Sequence, residues 1–389
     1  MSEPEQDRLR LVVVSHSCVV ATNQIPWARL VARHPVDLTL LAPRAWKGVA
    51  GGTVTLQTWP GLEGRVRPMT VVPRGHPNLH VWLGLRRVIR SASPDVLFLD
   101  EEPYSLAAAQ ARVILARDPM AFLFYAKQNL PKRLPAYFAK LQQRIFDRVD
   151  VAAAVHPSAR DVLVAEGCTA PIHLLPHVVD PDLYSPGDGG EVRAQYGLRG
   201  FVIGYLGRLV PEKGLLDLLA AVAAMEAHGH GDVSVLLVGD GPQRAELEAY
   251  ARDHVRAPVV FTGVVPHTEA ALYYRAMDVL ALPSRTASHW REQFGRTIIE
   301  ALACGVPVVG SDSGSIPGVI AMTSGLVFPE GDVQALARAF EQLMADPAQR
   351  QELALTGRRL TLEQFSADAV ADTIFALLQE ALQRRLRKT

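Results

Sequence analysis

Residues 201–241 read FVIGYLGRLVPEKGLLDLLAAVAAMEAHGHGDVSVLLVGDG. Phe201 to Tyr205 is a compact apolar run, Gly214 to Glu226 has the residue spacing of a buried helix, and Val233 to Val238 is a second apolar run. Strand, helix and strand in one short stretch make a β-α-β unit, which implies parallel strands covered on both faces. Downstream the alternation continues. Helices are predicted over Gln243 to Arg252, Thr268 to Ala276 and Thr297 to Ala303, and strands over Val259 to Phe261, Val279 to Leu282 and Val306 to Gly310. Upstream the same grammar recurs, with strands at Leu9 to Val14, Asp37 to Leu41, Asp95 to Leu99 and Phe122 to Tyr125, and helices at Leu79 to Ile89 and Tyr104 to Leu115. The fold class is therefore α/β, with two doubly wound Rossmann-like domains. The stretch VVDPDLYSPGDGG, residues 178–190, is the expected linker, which assigns residues 1–180 to one domain and 181–366 to the other. Helices are also expected at Ala335 to Met344 and Ala367 to Arg387.

The chain has 389 residues, with 40 basic and 40 acidic side chains. That neutrality hides a division: residues 1–180 carry 21 basic and 15 acidic groups, and the remainder 19 and 25. An ordinary apolar content excludes a disordered chain, and the absence of overall basicity argues against nucleic acid as a partner. Cys18, Cys168 and Cys304 fit no metal or redox spacing and are expected as buried thiols in a reducing compartment. The N-terminal residues MSEPEQDRLRLVVVSHS lack the pattern of a signal peptide, and no apolar run is long enough to span a bilayer. A cytoplasmic protein is the expectation.

Four motifs carry chemistry. GYLGRLVPEKG, residues 204–214, follows a strand and leads into a helix; Gly207 admits close backbone approach, while Arg208 and Lys213 place two cations near a helix N-terminus, the makings of a diphosphate site. VGDG, with Gly239 and Gly241, and FTGVVP, with Val265, end the next two strands and can line a nucleotide crevice. EQFGRTIIE, residues 292–300, opens a helix whose start, from Phe294 through Gly295 and Arg296 to Thr297, presents backbone N–H groups to an anion. Its carboxylates, Glu292 and Glu300, can accept hydrogen bonds from sugar and ribose hydroxyls. Paired carboxylates also suit a glycosidase, but a diphosphate site beside them favours a nucleotide sugar. A nicotinamide oxidoreductase would require G-x-G-x-x-G after a strand, which is absent.

With these motifs together, residues 174–366 resemble the retaining nucleotide-sugar glycosyltransferases of family 4, which have the two-domain GT-B fold. The resemblance implies that Arg208 and Lys213 bind the donor diphosphate, that Glu292 holds the transferred sugar with the backbone of Gln293 to Gly295, and that Glu300 accepts from the ribose. It implies transfer from a UDP- or GDP-linked sugar to a glycan or lipid-linked acceptor, without a cofactor or a metal. It also implies that the final helix, residues 367–389, packs on the first domain. The first half departs from the family: SHSCVVATNQ replaces a glycine pair, and AKQN stands where many members carry a histidine. His16, Glu101, Glu102, Gln128 and Asn129 are the candidate acceptor or sugar contacts there. Asp100, Glu101 and Glu102 lie at a strand's end and alternatively cap the following helix. Residues 127–148 interleave basic and apolar side chains, a pattern that suits an anionic membrane surface or a helix packed on its own sheet. A non-catalytic sugar-nucleotide-binding protein on the same scaffold is the alternative function.

Overall fold

The structure is a computed structural model that describes residues 8–48, 52–118 and 120–388. It contains two compact units, one formed by residues 1–178 and 367–389 and the other by 179–366. Each is a parallel sheet with helices on both faces, as the alternation of apolar runs predicts.

In the first unit seven parallel strands stand in the spatial order Ile172–Leu174, Val151–Ala154, Ala121–Ala126, Val96–Asp100, Leu9–Ser15, Val36–Pro43 and Val66–Met69. The chain starts at Leu9–Ser15, winds outward one way, then returns to pair Val96–Asp100 on its other side. The sheet thus has a switch point between these two strands, where Ser15 pairs with Asp100 in register. Val12, Val13, Val14, Leu97, Phe98 and Phe122 are essentially inaccessible to solvent, consistent with strands covered on both faces. The helix Ala367–Leu386 buries Val370, Ala371, Ile374, Leu377, Leu378 and Ala381, a stripe at helical spacing. It meets the Ile25–Arg33 helix, where Arg33 pairs with Asp372 at 2.8 Å and the His34 ring stacks on Phe375 at 4.1 Å.

The second unit has six parallel strands in the order Val259–Gly263, Val233–Val238, Phe201–Leu206, Val279–Leu282, Val308–Ser311 and Leu326–Phe328. Its switch point lies between Phe201–Leu206 and Val279–Leu282.

Two local expectations are corrected. Leu79 to Ile89 is not one helix: Val81–Trp82 pairs antiparallel with Val71–Val72, and the helix Leu85–Ala92 begins only after Gly84, whose φ of 76° breaks the chain direction. The two units divide between Val178 and Val179, at the start of the expected linker 178–190, whose remainder belongs to the second unit. The Arg275 side chain donates to the Ser185 carbonyl at 2.8 Å, and a Cβ on Gly189 would lie 2.3 Å from the Arg275 carbonyl oxygen, so this stretch is packed into the second unit. The basic-apolar segment 127–148 becomes helical only over Ala136–Phe146, where Leu141, Ile145 and Phe146 are buried. A nineteen-residue helix, Pro347–Phe365, was not expected at all.

Candidate active site

The chemistry-bearing residues gather at the two switch points. In the second unit Gly207, Gly239 and Gly263 end adjacent strands, and their backbones interlock: Gly207 N–H donates to Val238 and Gly239 N–H to Gly263, both at 2.9 Å. A Cβ on Gly239 would sit 1.9 Å from the Gly207 carbonyl oxygen, and one on Gly241 would sit 2.2 Å from that of Leu209. No other residue fits there, so the carboxyl edge of the sheet presents main chain rather than side chains.

Lys213 ends the turn Pro211–Lys213, and Gly214 follows with φ 66°. The Pro283 carbonyl oxygen occupies the space a Gly214 side chain would need, at 1.9 Å, and Arg285 N–H donates to the Glu212 carbonyl at 2.8 Å. The turn is thereby clamped to residues 283–285 and delivers the Lys213 ammonium to Glu292, Nζ to Oε2 at 2.5 Å. Ser284 Oγ donates to the same oxygen at 3.2 Å, and the Trp290 ring lies 4.9 Å from Nζ. The two charged side chains are only 19% and 10% exposed, so their attraction is weakly screened. The backbone of Glu292 is held as well: Ser315 N–H donates to its carbonyl at 3.0 Å, and Gly314 leaves room for it. Gly214→Ala combines a left-handed backbone with a steric clash and is expected to lower stability by about 3 kcal/mol. Urea unfolding checks this; an unchanged midpoint would mean the clamp does not hold the turn.

Gly295, with φ 79°, starts the helix Arg296–Ala303, one residue earlier than expected. Gln293 is exposed, and Arg296 and Thr297 are half-buried. The Phe294 ring is buried edge-on against Phe365 at 5.8 Å, so its side chain is committed to packing. Glu300, 4% exposed, accepts from the Tyr274 hydroxyl at 2.8 Å, with Arg296 Nη2 3.8 Å from its other oxygen. Burial and this carboxylate hold the Tyr274 hydroxyl well above its ordinary value, so it stays a donor. Arg208 is exposed, and its carbonyl accepts from Tyr205 at 2.8 Å. Val265 is half-buried on the loop after Val259–Gly263.

The first unit has its own cluster. Asp100 Oδ2 accepts from Ser15 Oγ at 2.6 Å and Ser17 Oγ at 2.9 Å, while Oδ1 accepts from Lys127 Nζ at 2.6 Å. Glu101, 3% exposed, accepts from the His16 backbone N–H at 3.0 Å and lies 2.7 Å from His16 Nδ1. Glu102 accepts from the backbone N–H groups of Lys127 and Gln128 at 2.8 and 3.1 Å. None of the three caps the next helix; Ser105 does, accepting from Ala108 N–H at 3.1 Å. The Gln128 amide donates to the Leu130 carbonyl at 2.7 Å, and Asn129 is 1% exposed. Ligand-type atoms of His16, His80 and Glu101 lie within 4.8 Å of one another, the one such group among the described residues, and His16 Nδ1 and Glu101 Oε2 within it are in direct contact.

The neighbouring carboxyls titrate apart. Burial opposes ionisation of Glu101, but His16 and His80 outweigh it and hold the group down at about 2. Burial pushes Glu102 up to about 6, despite the hydrogen bonds and charge of Lys127. Glu101 therefore contributes stability above its ordinary 4.5 that is lost as pH falls toward 2. The contribution of Glu102 runs the other way, present below 4.5 and lost as pH rises through 6. Carbon NMR of the two carboxyls is expected to separate them, and Glu102→Gln should gain stability relative to wild type above pH 6. A Glu102 carboxyl titrating in the ordinary range would contradict this.

Residues 191–360 match the family model described as "Glycosyl transferases group 1". Over 353 residues the chain is 31% identical to the GDP-mannose-dependent alpha-(1-6)-phosphatidylinositol monomannoside mannosyltransferase of Mycobacterium tuberculosis (strain CDC 1551 / Oshkosh), covering 88% of this chain and 89% of that protein. The chain belongs to the group 1 glycosyltransferases.

It is also 33% identical over 218 residues to the 2-deoxystreptamine glucosyltransferase of Streptomyces kanamyceticus, a match covering 54% of this chain and 55% of that protein, so it spans little more than half of that relative's length. Solved structures share the fold of this group 1 chain. Sucrose-phosphate synthase from Thermosynechococcus elongatus superposes with a TM-score of 0.72 at 19% identity, covering 97% of this chain and all of that one. Anabaena HepE in complex with UDP and glucose gives 0.72 at 18% identity, covering 96% and 100%. Both domains thus have the GT-B architecture.

Sequence reasoning singled out Lys213, Glu292 and Glu300 but missed their partners Ser284, Trp290 and Tyr274. It also missed Ser15, Ser17, His80 and Lys127. A serine at each side of His16 was the available signal for the first-unit cluster, and its meaning depends on the Ser15–Asp100 register.

Proposed function

We propose that this chain transfers a sugar, with retention of configuration, from a UDP- or GDP-linked donor to an acceptor hydroxyl in glycolipid or polysaccharide synthesis, as a family 4 member with an E-x7-E pair at Glu292 and Glu300. The observation that carries the reading is the Lys213–Glu292 pair, 79 residues apart in sequence and 2.5 Å apart at the switch point of the second unit. A cation and a carboxylate side by side match the two ends of a sugar diphosphate. Lys213 and Arg208, with the start of the Arg296–Ala303 helix, neutralise charge building on the departing diphosphate, while Glu292 accepts from hydroxyls of the sugar. Glu300, oriented by Tyr274, accepts from the ribose, and the main chain at Gly207, Gly239, Gly241 and Val265 lines the nucleotide. Two protein cations supply the electrostatic stabilisation that a metal would otherwise give, so transfer is expected to survive chelation.

The acceptor side falls to the first unit. Lys132, Arg133, Tyr137, Lys140 and Arg144 are exposed on and before the Ala136–Phe146 helix, with Tyr137 at 68%, a surface suited to peripheral contact with an anionic membrane. No helix among the described residues is long and apolar enough to cross a membrane. The relative covering most of the chain is named for a GDP-mannose donor and a phosphatidylinositol mannoside acceptor, which makes that pair the first to try.

Proton NMR of the product's anomeric centre, with and without EDTA, tests the reading. An α-linked product from an α-linked donor, formed equally in both, supports it. An inverted product would remove the retaining assignment, and donor binding with no turnover on any acceptor would leave a non-catalytic binding protein. Sedimentation with phosphatidylglycerol vesicles should be salt-sensitive; indifference to anionic lipid would end the membrane proposal.

A further inference from the structure

His80 stands immediately before the short strand Val81–Trp82 and is completely inaccessible to solvent. Its Nδ1 lies 3.1 Å from the His76 carbonyl oxygen, which can only accept, so Nδ1 carries a proton and the neutral ring keeps its lone pair on Nε2. That nitrogen has no hydrogen-bond partner among the described residues, yet it lies 3.3 Å from Glu101 Oε1. Glu101 is itself buried, and the same oxygen accepts from the His16 backbone N–H at 3.0 Å. A lone pair beside a carboxylate oxygen is repulsive, and burial removes the water that would screen it. A cation shared by the two atoms turns the repulsion into attraction.

A third donor converges on the same carboxylate. His16, directly beyond the Leu9–Ser15 strand, brings its Nδ1 to 2.7 Å from Glu101 Oε2. Bonds of about 2.0 to 2.2 Å from a tetrahedral ion set neighbouring donors roughly 3.4 Å apart, close to the 3.3 Å between His80 and Glu101. The His16 contact is shorter and has to widen to admit an ion; His16 can yield, because its side chain is 22% exposed while those of His80 and Glu101 are 0% and 1%. His80 also has the tautomer of a metal ligand, one ring nitrogen donating to a backbone carbonyl and the other left to bind. Trp46 packs 4.9 Å from His16 and 5.1 Å from His80, and Trp82 lies 5.6 Å from His80, an aromatic wall that keeps the local dielectric low. Asp100 is committed to Ser15, Ser17 and Lys127 and supplies no fourth ligand.

We propose that His16, His80 and Glu101 bind one divalent transition-metal ion of the zinc class. Two imidazoles with one carboxylate suit zinc, cobalt or nickel, whereas magnesium and calcium take oxygen donors. A proton on His80 Nε2 is the competing cation. The line from Nε2 to Oε1 lacks the alignment that a shared proton requires, while two ligands of one ion point at the ion rather than at each other. His16 binds through Nδ1 with its own proton on Nε2, and a three-ligand site keeps a further position for water. The ion ties the ends of the Leu9–Ser15 and Val96–Asp100 strands to the segment that carries His80, across the switch point of the first sheet. It is assigned no step in sugar transfer, so the proposal stands apart from the glycosyl-transfer reading, and the chemistry of Lys213 is expected to survive its removal.

The test uses the full chain without an affinity tag, stripped with EDTA, dialysed, and titrated with zinc by calorimetry and with cobalt by visible absorption. One equivalent of zinc should bind and raise the melting temperature, and cobalt should give the intense visible bands of a low-coordinate ion, which zinc then abolishes. His16→Gln changes the exposed member of the cluster and should fold; it and His80→Gln are each expected to lose zinc affinity by about 100-fold or more, above the cost of disturbing an outer-shell partner, and the thermal shift with it. A wild type that takes up no stoichiometric zinc or cobalt would overturn the proposal, as would His16→Gln binding zinc as tightly as wild type. Nitrogen NMR that finds His80 protonated on both ring nitrogens with zinc present would also overturn it, because the cation beside Glu101 would then be a proton.

Discussion

Lys213→Ala is expected to lower sugar transfer by about 100- to 1,000-fold, the cost of removing one preorganised donor from a developing anion, roughly 2.7 to 4 kcal/mol. The ammonium is placed by construction: a glycine at φ 66°, the Pro283 carbonyl against it and the Arg285–Glu212 hydrogen bond fix the turn that carries it. Part of its work precedes the reaction, because the ground-state diphosphate is already charged. Affinity for free UDP or GDP should therefore fall by about tenfold, as for one charge-assisted hydrogen bond, and turnover should fall further. Steady-state rates beside calorimetric binding of the nucleotide separate the two. Equal losses in both would make Lys213 a binding residue only. Lys213→Arg is not a neutral replacement, since a planar guanidinium cannot occupy the 2.5 Å approach to Glu292 in the same way.

Glu292→Gln should produce the complementary pattern. The amide keeps the volume and one acceptor but removes the charge that holds Lys213 and receives from Ser284. Transfer is expected to drop by about 100-fold, from weaker hydrogen bonds to the sugar. Affinity for the nucleoside diphosphate without sugar should be kept or improved, because Lys213 loses its competing partner. The ratio of sugar-nucleotide to nucleotide affinity therefore falls in Glu292→Gln and holds in Lys213→Ala. A Glu292→Gln variant that loses UDP or GDP as strongly as the sugar nucleotide would place Glu292 at the diphosphate and contradict its assignment.

The two variants also mark how far the sequence could be read. Strands such as Val233–Val238 and Val96–Asp100 are wholly buried, and runs that are apolar but for Ser234 and Asp100 announce that environment directly. The Pro347–Phe365 helix escaped because its buried positions are Ala354, Gly357, Thr361 and Phe365. Close approach to Leu302 demands small residues there, and a stripe of small and polar side chains has no apolar periodicity to detect. His80 escaped because its segment carries helical spacing, while pairing of Trp82 with Val71 and the left-handed Gly84 decide the local structure. Site residues on one motif were legible as types: Lys213 after a strand, and Glu292 and Glu300 around a helix start. Their partners were not, because Ser284 meets Glu292 through the folding back of one irregular connection, Tyr274 meets Glu300 between two helices, and Lys127 meets Asp100 only across adjacent parallel strands.

The division of charge, basic in residues 1–180 and acidic in the rest, acquires a physical meaning from these placements. An anionic donor is assigned to the acidic half, so bulk attraction does not recruit it. Local cations and oriented main chain must, and Lys213 is the cation whose geometry is most completely determined.

The most direct test is a thermal-shift panel of UDP- and GDP-linked sugars on the wild type and Lys213→Ala. Ligand at 100 times its Kd stabilises a folded protein by about 2.7 kcal/mol, enough to identify base and sugar together. The account predicts a clear upward shift with one donor, reduced in Lys213→Ala. No shift with any nucleotide sugar, or an equal shift in both proteins, would contradict it.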